Sequence, residues 1–163
     1  MTSRTLAYFE MAVLFVLLYL GVPWVGLQID RLLRILPWPS PIPWLGLGLA
    51  IVGVVGLAGC FVLFARVGRG TPNPTRPPEV LVTVGPYRWT RIPIALFHAA
   101  ALTGLSLFLG SVSGVALVVL LSVPVHFGML REERTLEARF GDAYRAYQAS
   151  VPRWIPRWRK RQS

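Results

Sequence analysis

Residues 44–65 read "WLGLGLAIVGVVGLAGCFVLFA", twenty-two positions without one charged side chain. As a helix at 1.5 Å per residue this stretch measures about 33 Å, enough to cross a hydrocarbon core about 30 Å thick. Three further apolar segments flank it, near 6–27, 92–109 and 112–130. With 54% hydrophobic and only 15% charged residues in 163, an ordinary soluble domain is excluded. The expected fold is all-α and integral to the membrane. It is one domain over 1–163: four transmembrane helices, a cytoplasmic loop at 66–91, and a cytoplasmic tail at 131–163 carrying an amphipathic helix. The first segment lacks the short apolar core and small-residue cleavage site of a signal peptide, so it is expected to be retained.

Basic residues orient this arrangement. Four spans put both termini on the same side as the 66–91 loop. That side then carries fifteen of the seventeen lysines and arginines, and the other carries Arg31 and Arg34. The positive-inside bias makes both termini cytoplasmic. Trp24, Trp38 and Trp44 fall at the expected outer interface, and Trp89, Trp154 and Trp158 at the inner one. The net charge of +10 therefore faces anionic lipid head groups rather than nucleic acid. Cys60 is the sole cysteine, which rules out an intrachain disulfide and a cysteine-based metal site. No metal ligand set is expected.

The connections are unequal. The stretch "QIDRLLRILPWPSPIPW" (28–44) has four prolines and reads as a short interfacial turn. "GSVSG" (110–114) is tiny and uncharged, which predicts a tight antiparallel hairpin between the last two spans. After the fourth span, Leu136, Phe140, Tyr144, Tyr147 and Val151 recur at helical spacing and define one apolar face. That face suits either an interfacial helix on lipid or a lid over something held at the inner mouth.

At "VGPYRWTRIPIALFHAAALTG" (84–104), Arg88 and Arg91 sit beside a helix start marked by Pro93. A helix N-terminus disfavours cations, so an anion should compensate: a lipid phosphate, or a ligand's carboxylate or phosphate. Glu132 and Glu133 show the opposite mismatch near a helix end, flanked by Arg131 and Arg134.

The run "LVTVGPYRWTRIP" (81–93), followed after one hairpin by "REERTLEARFGDAYRAYQASVPRWIP" (131–156), resembles the isoprenylcysteine carboxyl methyltransferase family. That family belongs to a wider group of membrane methyltransferases that includes the phospholipid N-methyltransferases. The resemblance covers roughly residues 70–157 and implies a pocket for S-adenosylmethionine at the cytoplasmic helix ends. The family's cofactor contacts fall here on Glu79, Val80, Leu81, Val82 and Tyr87. They continue on Ile92, Pro93, Ile94 and Ala95, the counterpart of the family's His-Pro-x-Tyr motif, and on Glu132. Backbone groups of a strand-like run and a helix start would bind the cofactor, a carboxylate would accept its ribose hydroxyls, and nearby arginines would hold its methionine carboxylate. Of the tetrapeptide only Pro93 matches. Gly128 stands where eukaryotic members have a substrate-binding arginine, which speaks against a prenylcysteine carboxylate as acceptor.

The implied acceptor is a lipophilic molecule, lipid or prenylcysteine-like group reached from the bilayer. Methyl transfer needs in-line approach and water exclusion; a base is needed only for an amine or thiol acceptor. Candidate bases are His98, His126 and Glu10; an interhelical hydrogen bond is the plainer reading of each histidine and an equal one for Glu10. Two other classes stay open: a degenerate relative serving as a binding or scaffold protein, and a small exporter using Glu10 as a proton-coupled carboxylate. Oligomeric state is unspecified. Gly46, Gly53, Gly56 and Gly104 permit close helix packing without naming the partner.

Overall fold

The computed structural model describes residues 13–68 and 79–154. Among them are no strands. Helix α1 is Val13–Leu33, α2 Ile42–Arg66, α3 Pro93–Phe108, α4 Val112–Phe140 and α5 Asp142–Ser150, with a 3₁₀ turn at Gly85–Arg88. Three of these, α1, α2 and α4, are long and apolar enough to cross a membrane. The expected 92–109 span is α3, whose 16 residues rise about 24 Å, short of the other three.

Two boundaries differ from expectation. Helix α1 continues through Gln28–Leu33, so the interfacial turn begins later than the prolines suggested. It ends where Arg34 turns left-handed (φ 55°), with the N–H groups of Arg34 and Ile35 donating back to the carbonyls of Arg31 and Asp30. Within α1, Leu17–Gly21 form a widened π turn just before Pro23. Proline lacks the N–H that would bond residue 19, and the wider turn accommodates its ring. At the other end of the chain, α4 runs ten residues past the expected limit, because "REERTLEARF" is built largely of good helix formers. Arg4 and Glu10 lie outside the described residues, as do Arg69, Arg76 and Trp158.

The chain divides into two compact units, one from residues 1–56 and 97–124, the other from 57–96 and 125–163. In the first, packing is close because side chains are small. A Cβ on Gly26 would meet Gly114 backbone at 2.5 Å, and one on Gly53 would meet the Ala101 backbone at 2.5 Å. Gly104 lies equally tight against Ala50. The partners that the glycines left unnamed in the sequence are therefore helices of the same chain. Here, too, Asp30 is buried and accepts hydrogen bonds from the Ser111 hydroxyl (2.7 Å) and the Ser113 N–H (2.9 Å). The Ser111 hydroxyl also accepts from the Gly114 N–H at 2.9 Å. Two otherwise orphaned N–H groups at the start of α4 are thereby satisfied.

Candidate active site

The second unit contains the tail, and its local structure follows from one glycine. Gly141 has φ 54°, a left-handed value that interrupts the helical run and separates α4 from α5. The five apolar residues at helical spacing thus do not lie on one continuous helix. They converge all the same: Tyr144, Tyr147 and Val151 form a buried cluster against which Leu136, Phe140 and Leu81 pack. The apolar face is spent on contacts with other protein side chains. Exposed ion pairs from Arg145 to Glu137 (3.0 Å) and Asp142 (3.2 Å) straddle the break and contribute little.

Beside this cluster the tail is pinned to the start of α3. The Tyr147 hydroxyl donates to the Tyr87 carbonyl at 2.7 Å. The Arg91 N–H donates to the Pro152 carbonyl at 3.1 Å, and the Thr90 hydroxyl to the Arg153 carbonyl. Glu133, only 8% exposed, accepts from both flanking arginines. Its Oε1 lies 2.9 Å from Arg91 Nη1 and 3.0 Å from Arg153 Nε, and its Oε2 lies 2.5 Å from Arg153 Nη2. The two-point contact with Arg153 is the geometry in which guanidinium and carboxylate interact most strongly.

That network answers the question raised by Arg91. Its compensating anion among the described residues is Glu133 of the same chain, held at Nη1, while its buried Nε has no hydrogen-bond partner among them. Glu132, one position earlier, is exposed and forms no hydrogen bond or ion pair among the described residues. Its charge nevertheless reaches Tyr87, whose hydroxyl is pushed well above the usual phenol range, chiefly by burial and then by Cys60, Tyr147 and Glu132. Tyr87 and Glu132, from distant stretches, belong to the same compact unit. Phe64 packs edge-on against the Tyr87 ring, with centroids 5.7 Å apart.

The remaining expected positions divide by accessibility. Val82, Ile92 and Pro93 are buried, Leu81 joins the tyrosine cluster, and Ile94 and Ala95 are partly accessible. Glu79 and Val80 are exposed, but their N–H groups already donate to the Gly68 carbonyl (2.9 and 3.4 Å). Residues 79–84 contain no strand, so the strand-like run expected to present backbone groups takes a different form. His126 stacks on Trp154 (5.7 Å, 25°) within the same unit as Tyr87 and Glu132. His98 belongs to the first unit, where its Nδ1 shares a 3.0 Å hydrogen bond with the Tyr19 hydroxyl. Among the described residues no three His, Cys, Asp or Glu side chains converge as a metal set would.

Arg153, Thr90 and Asp30 were not singled out from sequence, and Glu133 was noted only as a charge mismatch, not as a buried partner of arginines. A signal existed for Glu133: an acid pair near a helix end, with arginines at both 91 and 153, asks for an internal partner. Glu132 offers an exposed carboxylate in the unit that also holds the buried Tyr87.

Comparison with known proteins bears on the same region. The family model described as phospholipid methyltransferase matches residues 44–143, more than half the chain, from α2 to the start of α5. A protein of Haemophilus influenzae described as uncharacterized is 39% identical over 51 residues, which cover 31% of this chain and 81% of that protein. The matched segment includes Tyr87, Pro93, Glu132 and Glu133, and the chain belongs to the phospholipid methyltransferase family.

Proposed function

We propose that this chain is a membrane methyltransferase that takes a methyl group from S-adenosylmethionine and places it on a lipid or other lipophilic acceptor at the cytoplasmic face. The observation that carries the reading is the phospholipid methyltransferase family match over residues 44–143, which includes Tyr87 and an exposed Glu132 that fall in one folded unit. Glu132 would accept the ribose hydroxyls, and the start of α3 at Pro93 would lie against the cofactor. Bound there, the cofactor supplies a sulfonium methyl whose transfer asks little of protein acids or bases. The tail cluster would exclude water from the reacting groups. Arg91 and Arg153 are committed to Glu133, which leaves Arg88, exposed on the same turn, as the arginine for a ligand carboxylate.

The family description favours a phospholipid amine over a prenylcysteine carboxylate, as does Gly128 at the position of the acceptor arginine. An amine acceptor must lose a proton, and His126 lies in the unit that holds Tyr87 and Glu132. A second reading, a binding protein that kept the fold and lost catalysis, is favoured by one observation: Ile92 replaces the motif histidine and is buried. Purified protein in phosphatidylethanolamine vesicles, given S-adenosylmethionine with a tritiated methyl group, separates the two. Label in the lipid phase, lost in Glu132→Ala, is the expected result. Cofactor binding with no label transferred to any lipid supports the second reading.

A further inference from the structure

The paired glutamates do different work, and the second has no assigned role. Glu133 is buried between two arginines that come from opposite sides of the unit. Arg91 lies two residues before α3, and Arg153 lies in the segment that follows α5. Around this ion triad the two backbones are sewn together by Arg91 N–H to Pro152 carbonyl and Thr90 hydroxyl to Arg153 carbonyl. Thr90 in turn accepts the Ile92 N–H at 3.3 Å, next to the first residue of α3. The chain between Ser150 and Trp154 has no helix of its own to hold it. Its place rests on Val151 in the tyrosine cluster, on Trp154 stacked over His126, and on this triad.

We infer that Glu133 is a positioning residue: it clamps the 151–154 segment over the start of α3, and thereby keeps Tyr87 and Glu132 assembled as a ligand site. This rests on the proposed cofactor reading and sharpens it. Glu132 would touch the ligand, whereas Glu133 acts through Arg91 and Arg153. Adjacent helical residues point about 100° apart, so one glutamate faces inward while its neighbour stays accessible. Loss of the clamp lowers the fraction of molecules with an assembled site, and apparent affinity falls by that same fraction.

The test combines amide hydrogen exchange over residues 151–154 and at the Arg91 N–H that bonds Pro152, read together as the clamped segment, with S-adenosylmethionine titration, using full-length protein in detergent. Glu133→Gln and Arg153→Ala are expected to speed exchange in that segment and weaken cofactor binding by about tenfold or more, as a site assembled in a tenth of molecules would show. Arg153→Lys, which keeps the charge but loses the two-point contact, should recover only part of both. Glu132→Gln should weaken binding while exchange at 151–154 stays at the wild-type level. Wild-type protection in Glu133→Gln overturns the clamp, as does equal release of the segment by Glu132→Gln. The exchange measurement decides the clamp by itself even where wild-type protein takes up no cofactor, an outcome that would overturn the cofactor reading alone.

Discussion

Each of the two compact units buries one acidic side chain among its described residues, and the two carboxylates are satisfied in opposite ways. Asp30 is met by neutral donors, a serine hydroxyl and an N–H at the start of α4. Glu133 is met by two guanidinium groups. Neutral donors fixed to a helix start make a cap: local, rigid and structural. Guanidiniums on long side chains reach between stretches that are distant in sequence. The comparison separates a unit whose helices are locked by small residues from one whose elements are tied by charge. The proposed chemistry belongs to the second.

The largest expected effect comes from Glu133→Ala, which leaves two arginines facing each other without an anion. Removing one partner of a buried ion pair costs about 3–5 kcal/mol, so thermal unfolding in detergent should show the largest loss of this series. Asp30→Ala should cost less, about 1–3 kcal/mol, because the groups left unpaired are neutral. A larger loss at Asp30 than at Glu133 would reverse the contrast. Gly141→Ala puts a Cβ on a positive-φ backbone (φ 54°, ψ −125°) that side-chain-bearing residues rarely adopt, with open space around it, which isolates the conformational term at about 1–3 kcal/mol. The same comparison of unfolding midpoints reads it.

The smallest effect is in alkali. Burial, the first cause in each case, raises the hydroxyls of Tyr87, Tyr144 and Tyr147 above their ordinary pKa. The native state therefore holds these protons after an unfolded chain has begun to lose them. Stability should be unaffected below pH about 10 and should fall as pH rises above it. Phenolate absorbance should show these three among the tyrosines that titrate late, and early titration of Tyr147 would mean its bond to the Tyr87 carbonyl is not made.

Much of this fold was legible because apolar runs and their lengths follow directly from bilayer thickness. Residues 44–65 became α2 almost unchanged. The short α3 was less legible, since a run of 18 apolar residues does not show how many its turns will use. The five-residue apolar face predicted the tyrosine cluster but concealed the break inside it, because the spacing passes through Gly141 and says nothing of its φ. For the charges, sequence showed that Arg91 needed an anion but not where the anion lay. Which of two adjacent glutamates faces inward depends on helix phase, and Asp30 was masked by Arg31 and by partners in a turn of serines and glycines.

The claim on which the account depends is that Tyr87 and Glu132 form one ligand site. Calorimetric titration of the purified protein with S-adenosylmethionine, wild type beside Glu132→Ala, tests it most directly. Saturable binding by the wild type, lost or severely weakened in a variant that unfolds at the same temperature, is the predicted result. Equal binding by both proteins would place the cofactor elsewhere, and no binding by either would contradict the account.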